Sequence, residues 1–148
     1  MTRYLVVCLG NICRSPMGEG WLRHLAMVQG GRAKVDSAGT SAHHVGEGPD
    51  RRSISAMRAV DIDISGQRSR QFERNDFKNF DRILVMDQAN LRDVLSMAKT
   101  EEQRAKVALF DPTGASVPDP YYGGADGFTE VREQVRRAAE AQLALTLQ

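Results

Sequence analysis

Cysteine is scarce in this sequence: Cys8 and Cys13 are the whole complement of 148 residues. A chain of this length buries about 70% of the surface its unfolded form exposes, so it needs no staple, and residues 1–148 read as one domain. Charge of one sign is also missing. Twenty basic and nineteen acidic side chains leave a net +1, which excludes the global field of a nucleic-acid binder, and no nucleic-acid partner is expected. No apolar run approaches the roughly 20 residues of a membrane helix, and the N-terminus opens on a short apolar run without a charged-then-apolar leader. Membrane insertion is therefore not expected. Repeats and low-complexity tracts are absent.

What the sequence does contain is concentrated in Val6-Val7-Cys8-Leu9-Gly10-Asn11-Ile12-Cys13-Arg14-Ser15-Pro16. A short apolar strand ends in a thiol, and a small loop leads from it to an arginine. Loop amides, Gly10 among them, can turn inward as an anion nest, and a helix opening at Ser15-Pro16 adds its positive end. Serine suits the N-cap of that helix and proline its first position. Arg14 can grip two oxygens of a phosphate or other oxyanion in a bidentate fork that lysine does not reproduce. Cys8 then lies beneath the bound phosphorus. Thiolate is the reactive form of cysteine, and inward N–H groups, a helix N-terminus and a guanidinium all favour it. The pattern predicts an anionic nucleophile aimed at a phosphoryl group.

Other readings of the same residues stay open at this point. The two cysteines could be core residues, since free cysteine is often buried, or could begin a zinc site with His43 and His44. Structural zinc usually takes four ligands at recognisable spacings, and the guanidinium next to Cys13 opposes a dication. Far down the chain, Asp119-Pro120-Tyr121-Tyr122 follows a Pro- and Gly-rich stretch. It supplies a loop carboxyl beside two aromatics, the parts that a thiolate acting on aryl phosphates still lacks. By spacing alone Asp119 is equally a turn carboxylate ahead of Pro120.

Strand-like and helix-like segments alternate. Residues 4–8 form a continuous apolar strand of the buried parallel type, and the helix from Ser15 carries Met17, Trp21, Leu25 and Val28 at three- and four-residue steps. Gly30-Gly31 ends it. Strands are expected at 34–37, 82–86 and 106–110, and helices at 53–60, 90–98 and from Thr129 onward. The last helix has Val131, Val135, Ala139, Leu143 and Leu147 on one stripe. Residues 111–127 are the one long irregular stretch, and they carry Asp119. Such alternation favours right-handed βαβ crossovers on a parallel sheet, with ligands at the C-terminal strand ends. Cys8 falls at such an end.

With both segments in view, the chain closely resembles the low-molecular-weight protein tyrosine phosphatases over nearly its whole length. Besides the two segments quoted, with Gly123 extending the second, Asp36-Ser37-Ala38-Gly39-Thr40, Gly46-Glu47-Gly48-Pro49-Asp50 and Met86-Asp87-Gln88-Ala89-Asn90-Leu91-Arg92 match family segments in the expected order. The resemblance implies an α/β fold of three layers, a four-stranded parallel sheet flanked by helices, with the phosphate loop between strand 1 and helix 1. It implies hydrolysis of phosphotyrosine in proteins, and of small aryl phosphates, through a cysteinyl-phosphate, with no metal and no cofactor. Cys8 would be the nucleophile, Arg14 the phosphate clamp and Asp119 the acid and then the base. A tyrosine-phosphorylated protein is the implied partner, a tyrosine kinase being one candidate, and the chain is expected to be a monomer. Needing a free thiol, it belongs in a reducing compartment, the cytoplasm by default.

The same resemblance distributes the remaining roles. Leu9, Gly10, Asn11, Ile12, Cys13 and Ser15 make the loop, Ser15 also steadying the thiolate. Asn11 and Ser37 belong to a network that holds the loop in shape. Gln67 stands where relatives commonly have a histidine of that network, so a hydrogen-bonding group is kept and a titratable one lost. Asp87 matches an acid tied to loop positioning, and is equally readable as a strand-end carboxylate. Tyr121 and Tyr122 should wall the cleft, one of them alternatively packing in the core, while His43 stands where relatives often place a bulky aromatic. Relatives selective for phosphoarginine have threonine where this chain has Ile12, which crowds a guanidinium and favours phosphotyrosine over a protein-arginine phosphatase activity. Arsenate reductase on the same fold needs further cysteines for its disulfide cascade, and none follows Cys13. A noncatalytic phosphate-binding module is opposed by the intact Cys8, Arg14 and Asp119. In relatives with two loop cysteines the second is thought to capture the oxidised first, which makes Cys8 and Cys13 an expected redox pair.

Overall fold

The computed structural model describes residues 1–146. In chain order the elements are β1 (Thr2–Cys8), α1 (Arg14–Val28), β2 (Ala33–Gly39), α2 (Arg51–Arg58), α3 (Asp76–Asn79), β3 (Arg82–Val85), α4 (Gln88–Met97), α5 (Glu101–Ala105), β4 (Val107–Leu109) and α6 (Ala125–Thr146). The strands form one sheet in the order β2-β1-β3-β4, and every neighbouring pair is parallel. β1 is central and covered on both faces, which explains its unbroken apolar run. Tyr4, Val6 and Cys8 pack with Met17, Trp21 and Leu22 of α1 and Val131 and Val135 of α6. Leu5 and Val7, pointing the other way, pack with Phe72, Phe77, Phe80 and Val94. Each such side chain stabilises by about 1.5–3 kcal/mol when fully buried.

Register sets the site. Cys8 pairs with Gly39 and Val7 with Val85, so the ends of β1, β2 and β3 lie together where an α/β sheet offers its crevice. The expected sheet and its loop between β1 and α1 are present.

Several local expectations need correction. α1 opens at Arg14 with Cys13 in the cap position, so Ser15 and Pro16 are its second and third residues rather than cap and first. Proline is harmless there because the first four helix amides have no intrahelical partner, and the Ser15 hydroxyl turns to Cys8 instead. Val28, expected on the buried stripe, is 67% exposed, because the helix end runs past the core. α6 begins at Ala125, ahead of Thr129; the nearby glycines conceal an N-terminal turn that Asp126 favours. Two one-turn helices, α3 and α5, leave no periodic stripe to read. Thr100 caps α5, accepting from Gln103 N at 3.1 Å, whereas α3 has no side-chain cap and its first residue, Asp76, accepts from Glu73 N ahead of the helix at 2.9 Å. Val131, Val135, Ala139 and Leu143 of the α6 stripe are buried as expected, and Leu147 lies outside the described residues.

Candidate active site

The loop from Cys8 to Ser15 is held from outside by its carbonyls. Thr40 N donates to Cys8 O and Ser41 N to Leu9 O, both at 2.9 Å, and Asp50 N donates to Ile12 O at 2.8 Å. Ser69 Oγ donates to Gly10 O at 3.0 Å. With these carbonyls bound outward, the loop amides are left to the concave side, the requirement for an anion nest. Gly39 permits the close approach: a Cβ there would meet Leu9 O at 2.7 Å.

Asn11 takes a left-handed conformation, φ 58°, which costs a non-glycine residue roughly 1–2 kcal/mol. Three hydrogen bonds offset that cost, each worth about 1 kcal/mol. Its Nδ2 donates to Ser15 Oγ at 2.8 Å and to Ser37 Oγ at 2.9 Å, and its Oδ1 accepts from Arg70 N at 3.0 Å. Ser15 Oγ lies 3.0 Å from Cys8 Sγ. Ser37 in turn donates to Glu19 Oε1 at 2.7 Å. Gln67 supports the first turn of α1 from another side, its Nε2 donating to Pro16 O at 3.1 Å.

Arg14 is 3% exposed. Its Nη1 donates to Asp87 Oδ2 at 2.6 Å and to Val117 O at 3.1 Å, and its Nη2 lies 3.7 Å from Asp119 Oδ2. Burial opposes the guanidinium charge, but Cys8, Asp87 and Asp119 outweigh it and leave Arg14 above its ordinary value. Asp87 also caps α4, accepting from Asn90 N at 2.8 Å, so the two readings of this residue coexist. Asp119 is similar. Its Oδ1 accepts from Tyr121 N at 3.0 Å, a turn bond, while Oδ2 faces Arg14. Burial, helped by Asp50, Cys8 and Asp119, pushes the Cys13 thiol up to about 12.

A cleft of about 240 Å³ gathers Cys8, Leu9, Gly10, Ile12, Cys13, Arg14, His43, Asp119, Tyr121 and Tyr122. Tyr121 and Tyr122 meet edge to face at 5.0 Å, and both are exposed, Tyr122 at 93%. Neither packs in the core. Two cleft residues were not anticipated, Ser41 and His44; both follow the end of β2, where the strand-end rule locates ligands. His44 packs against Gly10 and its Nδ1 lies 2.9 Å from Glu47 Oε2. Among the described residues no three His, Cys, Asp or Glu side chains form a metal-binding group. Also unforeseen was Glu19, a 5%-exposed carboxylate on α1; only its position four residues after Ser15, one turn along the same face, could have signalled it.

Chemically, the cleft unites a thiol, a buried cation and a carboxyl that shares that cation's charge. Comparisons with known proteins agree on what this combination is similar to. Residues 3–148 match the family model described as low molecular weight phosphotyrosine protein phosphatase. A low molecular weight phosphotyrosine protein phosphatase of Schizosaccharomyces pombe is 46% identical over 132 residues, covering 84% of this chain and 83% of the relative. Among solved structures, a protein tyrosine phosphatase from Entamoeba histolytica with Hepes in its active site superposes with a TM-score of 0.92 at 32% identity. It covers 97% of this chain and 96% of its own. Vibrio vulnificus Wzb in complex with benzylphosphonate gives 0.86 at 30% identity, covering 95% and 96%.

Proposed function

The chain belongs to the low molecular weight phosphotyrosine protein phosphatase family and is a protein-tyrosine phosphatase; on that premise we propose that Cys8 is its nucleophile, Arg14 its phosphate clamp and Asp119 its acid and base. The observation that carries this assignment is the convergence of the three on one cleft. In the first step Cys8 Sγ attacks phosphorus in line, an S–P bond forms and the P–O bond to the phenol breaks. Charge on the three equatorial oxygens is met by the inward loop amides and by the Arg14 guanidinium, whose remaining edge is free of the Asp87 bond. Asp119 gives its proton to the departing phenolate. In the second step a water attacks phosphorus, Asp119 takes the water's proton, and inorganic phosphate leaves with the thiolate restored.

Substrate choice follows from reach. Cys8 is 2% exposed at the foot of a cleft lined by Tyr121, Tyr122 and His43, so a phosphate on a long flat ring meets the sulfur and one on a serine stem does not. Aromatic contact with the tyrosines adds to the preference. The benzylphosphonate held by Vibrio vulnificus Wzb, a phosphonate borne by an aromatic group, supports the same substrate class here. A tyrosine kinase that carries phosphotyrosine is a suitable protein substrate, and two unpaired thiols suit the reducing cytoplasm. Matched phosphopeptides test the reading. The expected kcat/KM is at least about 100-fold higher for phosphotyrosine than for phosphoserine; comparable constants, or a preference for phosphoarginine, would overturn it.

A further inference from the structure

Glu19 is a buried carboxylate that the reaction itself does not use, and its hydrogen-bond partners can be followed proton by proton to the sulfur. An ionised carboxylate only accepts. Its Oε1 takes the single hydroxyl proton of Ser37 at 2.7 Å, so Ser37 can meet Asn11 only as an acceptor. Asn11 therefore turns its NH₂ toward Ser37, at 2.9 Å, and its Oδ1 toward the Arg70 amide, at 3.0 Å. The second Nδ2 proton goes to Ser15 Oγ at 2.8 Å. Ser15, accepting there, has its own proton for Cys8 Sγ at 3.0 Å. Every proton in the chain thus has one address.

We propose that Glu19 is a positioning residue for the phosphatase reaction: it fixes the direction of the Ser37–Asn11–Ser15 chain so that the last hydroxyl proton points at the Cys8 thiolate. Without that acceptor the Ser37 hydroxyl turns freely and no longer holds the Nδ2 proton, and Asn11, then anchored chiefly at Oδ1 by Arg70 N, swings its NH₂ away from Ser15. Ser15, no longer held as an acceptor by Asn11, is then free to turn its proton away from the sulfur, disfavouring its anion. Charged groups facing Glu19 come from two elements. Arg23 of α1 pairs with Oε2 at 2.8 Å, and Asp36 of β2 opposes the charge. Burial raises the Glu19 carboxyl above its ordinary range, while Ser37 and Arg23 favour the anion.

The test is the pH dependence of Cys8 alkylation by iodoacetamide, followed by mass spectrometry so that Cys8 is separated from Cys13. Glu19→Leu and Ser37→Ala are expected to raise the pH midpoint by about one unit, a roughly tenfold slower labelling at the acid end. Glu19→Gln, whose amide oxygen still accepts from Ser37, keeps the native midpoint. If Glu19→Leu fails to fold, Ser37→Ala, which deletes only one oxygen, decides alone. A folded Ser37→Ala with the native midpoint overturns the proposal, and so does a Glu19→Gln variant that shifts as far as Glu19→Leu. The proposal rests on Cys8 being the nucleophile. Turnover by Cys8→Ser would remove that premise, and does so independently of where the alkylation midpoints fall.

Discussion

Arg52 grips Asp50 with two nitrogens, Nε to Oδ1 at 3.0 Å and Nη2 to Oδ2 at 3.1 Å, and the same guanidinium reaches across to the loop that carries Asp119. Its Nη1 donates to Gly123 O at 3.1 Å, and its carbon lies 5.4 Å from the Tyr121 ring centre and 4.5 Å from that of Phe128. Asp50 is itself tied to the phosphate loop through Ile12 O. The pair bridges the loop of the nucleophile and the loop of the acid.

Removing that bridge should loosen the acid without disarming the nucleophile. Asp119→Ala is expected to lose about 100- to 10,000-fold in kcat on aryl phosphates with poor leaving groups, and far less on good ones. Arg52→Ala should show the same leaving-group dependence at about a tenfold loss. A leaving-group series measures both. Equal losses across the series for Asp119→Ala would assign the acid elsewhere, and a flat profile for Arg52→Ala would break the link between Arg52 and Asp119.

The fold was legible where one signal served one purpose. The continuous apolar run of β1 marked a strand covered on both faces, and the cysteine at its end marked the crevice. Ser15 misled because serine and proline near a helix start usually cap it, whereas here tertiary structure claims the hydroxyl for Cys8. Asp87 and Asp119 each allowed two readings, and each turned out to make both contacts, one to its own turn or helix and one to Arg14. Glu19 and Arg52 were illegible because the contacts that tie them to the site, Ser37 for Glu19 and Gly123 for Arg52, lie on distant segments, and a charged residue on a helix or loop otherwise reads as a solvated face.

Cys13 carries a redox expectation. Both cysteines border one cleft, and oxidation of Cys8 by peroxide to the sulfenic acid lets the Cys13 thiol displace water and form a disulfide. Peroxide inactivation should then be reversed by a thiol reductant, with a Cys8–Cys13 bond seen by mass spectrometry. In Cys13→Ser the recoverable fraction should fall at least severalfold as Cys8 passes to the sulfinic acid. Equal recovery in that variant would refute the pairing.

Alkaline pH should expose the same residue through stability. Cys13 titrates near its ordinary value of 9.0 when unfolded and at about 12 when folded. Above pH 9 the unfolded chain loses a proton that the folded chain keeps, so stability is undiminished below 9 and falls as pH rises toward 12. Urea unfolding at pH 8 and pH 10 should show a larger loss for the native protein than for Cys13→Ser. The same loss in both would mean that burial of Cys13 is not the cause.

The proposed reaction turns on the covalent step at Cys8. Turnover of an aryl phosphate, quenched within the steady state and mapped by mass spectrometry, should show the phosphoryl group on the peptide containing Cys8. Cys8→Ser should fold, hold no phosphoryl group and turn over at least about 1,000-fold more slowly. A phosphoryl group on any other residue, or a Cys8→Ser variant that retains turnover, would contradict it.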